Sequence, residues 1–279
     1  MSESTKDKAK RLLIECQVDP KTIISEPPIA ISIGSKLMFT RSGKEVKKIP
    51  VGTYGNYSFI QAPPKSKKTY FVSLLVAAYL ETNKYSAHIS GTRNGKKIIH
   101  FDTEQSDYHA STVFRRPIDM CTVSDNYYTF ALRELDVQEK ILIIEECLEQ
   151  TKDIGLLVID GIADLVYDVN NIEQSSALVN KLMKWSSKNN CHIVTVIHSN
   201  YGTTKPTGHL GSYLEKRCET QMQLELNDVH KDWVNVICKK SRGCEFDNFS
   251  FKINSYGIPE VIKDIYDPLH DFNKNSKAT

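Results

Sequence analysis

Leu156-Leu157-Val158-Ile159-Asp160 is four apolar residues in a row, closed by a carboxylate, and the architecture follows from it. A strand with one wet face alternates apolar and polar side chains. An unbroken apolar run belongs instead to a strand covered on both faces, as in parallel sheets. Just upstream, Val137–Thr151 spaces Ile141, Ile144 and Leu148 at helical intervals, with Asp136 placed to cap its first turn. Downstream, Ser175–Lys188 sets Leu178, Leu182 and Trp185 on one helical face, and His192–Ile197 is a second buried strand. Further back, Ser58-Phe59-Ile60 reads as a strand that turns into the apolar helix Tyr70–Leu80. A turn at Gly91–Lys97 then leads to the short strand Ile98–Phe101. Strands alternating with helices predict an α/β fold, a mostly parallel sheet flanked by helices. After about residue 221 strands follow one another directly, at 221–226, 233–238 and 248–253, and extend the sheet in antiparallel fashion.

Composition sets the outer limits. The chain has 279 residues, 36 Lys+Arg against 34 Asp+Glu, 40% hydrophobic and 25% charged residues, which excludes disordered and fibrous classes. No stretch approaches the ~18 consecutive apolar residues of a membrane span. MSESTKDKAKRLL carries no apolar signal-peptide core, and the seven cysteines form no C-x-x-C pair. Both features predict reduced thiols in a cytoplasmic protein. Residues 1–28 read as an N-terminal arm with a short basic helix near Lys6–Gln17, stopped by Pro27-Pro28. Residues 29–266 then form one domain, and 267–279 a polar, flexible tail.

In an open parallel sheet, ligands collect beyond the C-terminal strand ends. Three such ends carry charge. The first runs into Ala62-Pro63-Pro64-Lys65-Ser66-Lys67-Lys68-Thr69, which has the length and Lys-Thr ending of the phosphate-binding loop G-x-x-x-x-G-K-[ST]. That chemistry needs backbone N–H groups around phosphate, a lysine for the terminal phosphates and a hydroxyl for Mg²⁺. Lys68 and Thr69 are in register for the last two roles, but Ala62 and Lys67 stand where both glycines belong. The segment is therefore either a phosphate loop or a basic turn without a ligand. Lys67 fits such a loop if its backbone is helical; otherwise its ammonium fills the phosphate position. At the second end, Phe101-Asp102-Thr103-Glu104, a carboxylate can polarise an attacking water, or Thr103-Glu104 merely opens the next helix. Asp160, the third, suits a carboxylate that orients hydrated Mg²⁺, or a simple turn residue.

The segments QAPPKSKKTYFVSLLVAAYL, HFDTEQSDYH, LLVIDGIADLVYD, HIVTVIHSN, GHLGSYLEKRCET and KKSRGCEFDNFSFKI lie within residues 50–260. Together they resemble the RecA-like P-loop ATPases, in the branch of DnaB-like and RepA-like hexameric helicases. More narrowly, they are similar to the RecA-type ATPases, or mobilisation proteins, of bacterial mobile elements. In that group a Lys or Arg at the second loop glycine recurs. The resemblance implies ATP and Mg²⁺ as ligands. It implies Lys68 as the loop lysine, Thr69 and Asp160 as the Mg²⁺ pair, Glu104 as the residue that activates water, and His198 as the polar sensor of the terminal phosphate. It also implies that Lys240 and Arg242, the K-x-R of Lys240-Ser241-Arg242, enter the neighbouring subunit's site. A homo-oligomer, ring or filament, would follow.

Two segments bear on nucleic acid. The glycine-rich stretch from Ser199 to Gly211 offers Lys205, Tyr201 and His209 to phosphates and bases, or is a surface loop or nucleotide lid. Lys36, Arg41, Lys44, Lys47 and Lys48 face a single acid, Glu45, across 36–48, as an electrostatic footprint for DNA or a solvated hairpin face. The remaining histidines, at 88, 100, 109, 192 and 230, have no metal-ligand spacing, and Cys191-His192 reads as packing. Tyr127-Tyr128 lies in a strand-like segment. The functional expectation is an ATP-hydrolysing oligomer acting on DNA, mainly single-stranded, within a mobile-element or replication system. The alternatives are a regulatory P-loop module without hydrolysis, or a RecA-like ATPase that acts on protein partners.

Overall fold

The computed structural model describes residues 4–40, 43–81, 88–122, 125–200 and 203–262. Arg41, Tyr201 and the expected tail 267–279 lie outside the described residues. Ser4 caps α1 (Thr5–Glu15) by accepting from the Asp7 amide, and no residue of this helix is buried. Two long strands follow, β1 (Ile29–Thr40) and β2 (Gly43–Thr53), which form an antiparallel hairpin. Next come β3 (Tyr57–Ala62), α2 (Lys68–Glu81) and the short β4 (Ile89–Gly91), which pairs with β1. The alternating core continues with β5 (Lys97–Asp102), α3 (Asp107–Asp119), β6 (Tyr127–Ala131), α4 (Val137–Gln150) and β7 (Ile154–Asp160). After a 3-10 turn (Ile162–Leu165) come α5 (Ile172–Asn189), β8 (His192–His198) and α6 (Gly208–Arg217). The last four strands are β9 (Thr220–Leu226), β10 (Trp233–Ser241), β11 (Phe249–Ile253) and β12 (Pro259–Val261).

The main sheet has nine strands in the order β12-β11-β10-β9-β3-β8-β7-β5-β6. From β9 to β6 every pairing is parallel, and β10 to β12 add on antiparallel. Both features match the sequence reading. β7 is buried at all seven positions, as its apolar run requires. Asp136 caps α4 through a capping box with Glu139. Leu178, Leu182 and Trp185 face the core from α5, whose end is turned by Asn190 in the left-handed region, φ 44°.

α2 is apolar on every side, which suits a helix with no wet face. One flank packs on the main sheet, where Phe71 stacks on Phe251 with ring centroids 5.9 Å apart. The other meets the three-stranded sheet β2-β1-β4, in one cluster that includes Ile31, Ile33, Ile49 and Ile89. Gly91 permits this approach, since a Cβ there would stand 2.4 Å from the Tyr79 Cα. A second cluster, including Leu157, Ile159, Leu178 and Leu182, fills the α4–α5 face. No helix among the described residues is long and apolar enough to cross a membrane.

The expected first helix after β5 starts late. Thr103-Glu104 does not open it, because the Asp102 carboxylate accepts from the Glu104 amide (3.0 Å) and the Gln105 amide (2.8 Å), forming a turn first. The helix begins at Asp107.

Candidate active site

Strand register builds the site. Ala62 pairs with His198, and Asp102 pairs with Asp160, so four strand ends finish at one level of the sheet. Beyond them lies an open cavity of about 490 Å³ bordered by Lys65, Lys67, Lys68, Thr69, Glu104 and Asp160. Tyr70, Gln105, Ser106, His109 and Arg133 complete its wall.

The turn from β3 to α2 is closed by the Ser66 hydroxyl, which donates to the Pro63 carbonyl at 2.6 Å. Lys65 and Lys67 both have φ 61°, in the left-handed region. Lys67 is therefore not helical, contrary to the condition under which the sequence admitted it. Its backbone takes the conformation glycine would take, at a cost of about 1–2 kcal/mol for a residue with a Cβ. Ala62 needs no glycine, since it is the last residue of β3, buried, with its carbonyl accepting from the Ser199 amide at 3.0 Å. Ala62, Pro63, Pro64 and Ser66 shape the turn without bordering the cavity.

Lys68 opens α2 and is buried. Its ammonium donates to His198 Nδ1 at 3.1 Å and to the Pro63 carbonyl at 3.4 Å. Burial pulls its pKa down, against the nearby charges of Asp160 and Glu104. On the far side of the imidazole, His198 Nε2 stands 3.5 Å from Glu104 Oε1. A lysine, a histidine and a glutamate thus form one chain across the cavity mouth. His198 holds the Glu104 carboxyl below the usual range, with Lys68 adding to the effect against partial burial. Glu104 is accordingly ionised and able to accept a proton.

Asp160 is buried, and its Oδ2 has no hydrogen-bond partner among the described residues. Burial, reinforced by Asp102 and Glu104, pushes its carboxyl up to about 7 despite the Lys68 ammonium. Such a carboxylate lacks a cation. With the Thr69 hydroxyl on the same wall, the donor set fits a hydrated Mg²⁺, and the three lysines fit the phosphates it would accompany. No cluster of three or more His, Cys, Asp or Glu side chains suited to a metal ion occurs among the described residues.

Other expected residues lie elsewhere. Lys205 and His209 are exposed and do not border the cavity. Lys240 and Arg242 sit at the opposite end of the sheet, since Ser241 pairs with Thr220, where β9 begins, and β9 runs parallel to β3. Lys240 is paired with Glu215 at 2.8 Å, and Arg242 donates to the Arg217 carbonyl at 2.8 Å. Their side chains are thus remote from their own chain's phosphate turn. The basic 36–48 stretch is a hairpin, with Lys36 donating to the Glu245 carbonyl and Lys47 beside Glu45. Cys191 and His192 are fully buried, as packing predicts.

Sequence reasoning missed Arg133 and gave His109 no role. Arg133 follows β6, and only the pairing of β6 with β5 carries it to the cavity. His109 arrives on the first turn of α3. Neither has a local signal.

No protein-family model and no curated protein matches the sequence. Among solved structures the chain is similar to the ATPase domain of a DnaB-like helicase, at 15% identity and TM-score 0.53, over 75% of this chain and 85% of that one. It is also similar to the RadB recombinase, at 18% identity and TM-score 0.52, over 75% of this chain and 92% of that one. With a parallel sheet, a basic turn after β3 and acids at the neighbouring strand ends, the chain has the fold of the RecA-like P-loop ATPases.

Proposed function

We propose that this chain binds Mg²⁺-ATP in the cavity at the C-terminal strand ends, hydrolyses it, and works on single-stranded DNA as a homo-oligomer of a mobile-element or replication system. The convergence of Lys68, His198, Glu104 and the unpaired Asp160 Oδ2 on one cavity carries this reading. Lys65, Lys67 and Lys68 hold the phosphates, and Lys68 leaves its contact with Pro63 to do so. Thr69 and Asp160 hold the metal ion, which supplies charge neutralisation on phosphate oxygens. Glu104, ionised and tethered to His198, orients a water and takes its proton. His198 touches both Lys68 and Glu104, so it senses the occupied turn at its side chain and passes this on through its backbone carbonyl, which accepts from Thr207. Lys240 and Arg242, at the far end of the sheet, serve the site of a neighbouring copy. The 1–28 segment is an arm on a single 29–266 domain.

The test is the steady-state ATPase rate with and without single-stranded DNA, for the native chain, Lys68→Ala and Glu104→Gln. Lys68→Ala should abolish nucleotide binding in calorimetry. Glu104→Gln should keep binding and lose turnover by roughly 10²–10⁴-fold. Equal rates in all three proteins would overturn the site. Binding without turnover in the native chain would leave a regulatory module, and turnover indifferent to DNA would point to a protein substrate.

A further inference from the structure

Gln61 is the last residue before Ala62 and the phosphate turn, and it is fully buried. Its carboxamide leaves no capacity idle. Nε2 donates to the Ser199 hydroxyl at 3.1 Å and to the Thr204 carbonyl at 2.5 Å, while Oε1 accepts from Gln221 Nε2 at 2.8 Å. Ser199 and Thr204 belong to the segment that leaves His198, and Ser199 is further bound through its amide to the Ala62 carbonyl. One side chain therefore joins the strand that feeds the phosphate turn to the segment that follows the sensor histidine.

The other side of Gln61 is unusual. Gln221 and Gln223 lie on the same face of β9, both buried, and the carbonyl oxygens Gln221 Oε1 and Gln223 Oε1 have no partner among the described residues. Gln223 is the register partner of Gln61. A buried amide oxygen without a donor is costly, and two beside a third carboxamide offer a second arrangement. If Gln61 and Gln221 both turn over, Gln61 Nε2 donates to Gln221 Oε1 and the pair stays bonded. The Ser199 hydroxyl, which accepts now, would donate to Gln61 Oε1. Only Thr204 would lose, because its carbonyl would then face the Gln61 carbonyl oxygen, acceptor against acceptor. The two arrangements thus have similar hydrogen-bond counts and differ in whether the Thr204 carbonyl is held or expelled.

We propose that Gln61 is a positioning residue that couples the phosphate turn to the Thr203–Thr207 segment: it holds Thr204 in the arrangement seen here and releases it to Gln221 and Gln223 when the turn is filled. The proposal rests on the nucleotide reading above. Movement at the turn reaches Gln61 through the adjoining Ala62, and movement of His198 reaches the same segment through its carbonyl. Lys205, next to Thr204, is exposed and would move with it.

Hydrogen exchange of the Thr203–Leu210 amides in the full chain, with and without Mg²⁺ and a non-hydrolysable ATP analogue, tests this. In the native chain the analogue should speed exchange of the segment by about tenfold, the scale of one lost hydrogen bond. Gln61→Met, of similar volume but without the amide, should exchange fast in both conditions. Gln223→Met, which removes an alternative acceptor, should reduce or abolish the acceleration. A purely structural role would give loosening in both variants, so opposite signs are the signature. Calorimetry with the same analogue separates the two proposals. Should the native chain bind nucleotide while Gln61→Met keeps the native exchange response, the coupling is wrong and the site stands. No nucleotide binding by the native chain would overturn both. If Gln61→Met does not fold, the Gln223→Met response decides alone, and a native-like acceleration there refutes the proposal.

Discussion

Replacing Asp160 by Asn should stabilise the metal-free chain, in a way that depends on pH. The carboxyl is buried with Oδ2 unpaired, and its pKa is raised from 3.8 to about 7, by burial first and then by Asp102 and Glu104. Between those values the folded chain keeps a proton that the unfolded chain has lost. Rising pH therefore favours unfolding across the window from about 4 to about 7, after which the penalty is complete. At 1.36 kcal/mol per pKa unit the limit is about 4 kcal/mol, and water entry and relaxation should reduce it to roughly 2–4 kcal/mol. Asn is nearly isosteric and cannot ionise. Urea unfolding followed by circular dichroism, in chelator, from pH 4 to 8.5, measures the difference directly. Asp160→Asn should match the native chain near pH 4 and exceed it above pH 7.5. Adding Mg²⁺ and ATP should then stabilise the native chain much more than the variant. An advantage that stays constant with pH, or a variant weaker at pH 8, would contradict the account of an uncompensated buried carboxylate.

Arg242→Ala and Lys68→Ala proteins should each be inactive alone yet regain ATPase activity when mixed, because each retains the half that the other lacks; a mixture that stays inactive speaks against a shared site. Lys67→Gly should relieve the left-handed strain and raise stability by a net ~0.5–1 kcal/mol after the added entropy of glycine in the unfolded chain, while calorimetry shows weaker nucleotide binding through the lost ammonium. Gly91→Ala should cost about 3 kcal/mol in urea unfolding, since its Cβ would stand 2.4 Å from the Tyr79 backbone; a loss under 1 kcal/mol would mean that β4 can shift away from α2.

The parts of the fold legible in the sequence are those governed by local periodicity. The run 156–159 and the 192–197 strand announce burial on both faces, and Asp136 with Glu139 announces the start of α4. The β1–β2 hairpin is hidden, because its inner half is buried against α2 while its outer half carries exposed Leu37, Met38 and Phe39 among lysines, so no single period runs through it. Thr103-Glu104 misleads because an Asx turn at Asp102 and a helix cap use the same residue types. At the site, Lys68, Thr69, Glu104, Asp160 and His198 are legible as residues at strand ends. Arg133 and Gln61 are not, since the first depends on strand order and the second on a carboxamide that looks like any polar residue in a strand.

The distance along the sheet between the phosphate turn and Arg242 has a kinetic meaning. A chain whose own ends cannot meet gives a specific rate that depends on how many copies are present. Throughput would rise faster than linearly at low concentration and become proportional once assembly saturates. The number of copies would then act as a threshold, and a dilute chain would retain bound nucleotide without consuming it.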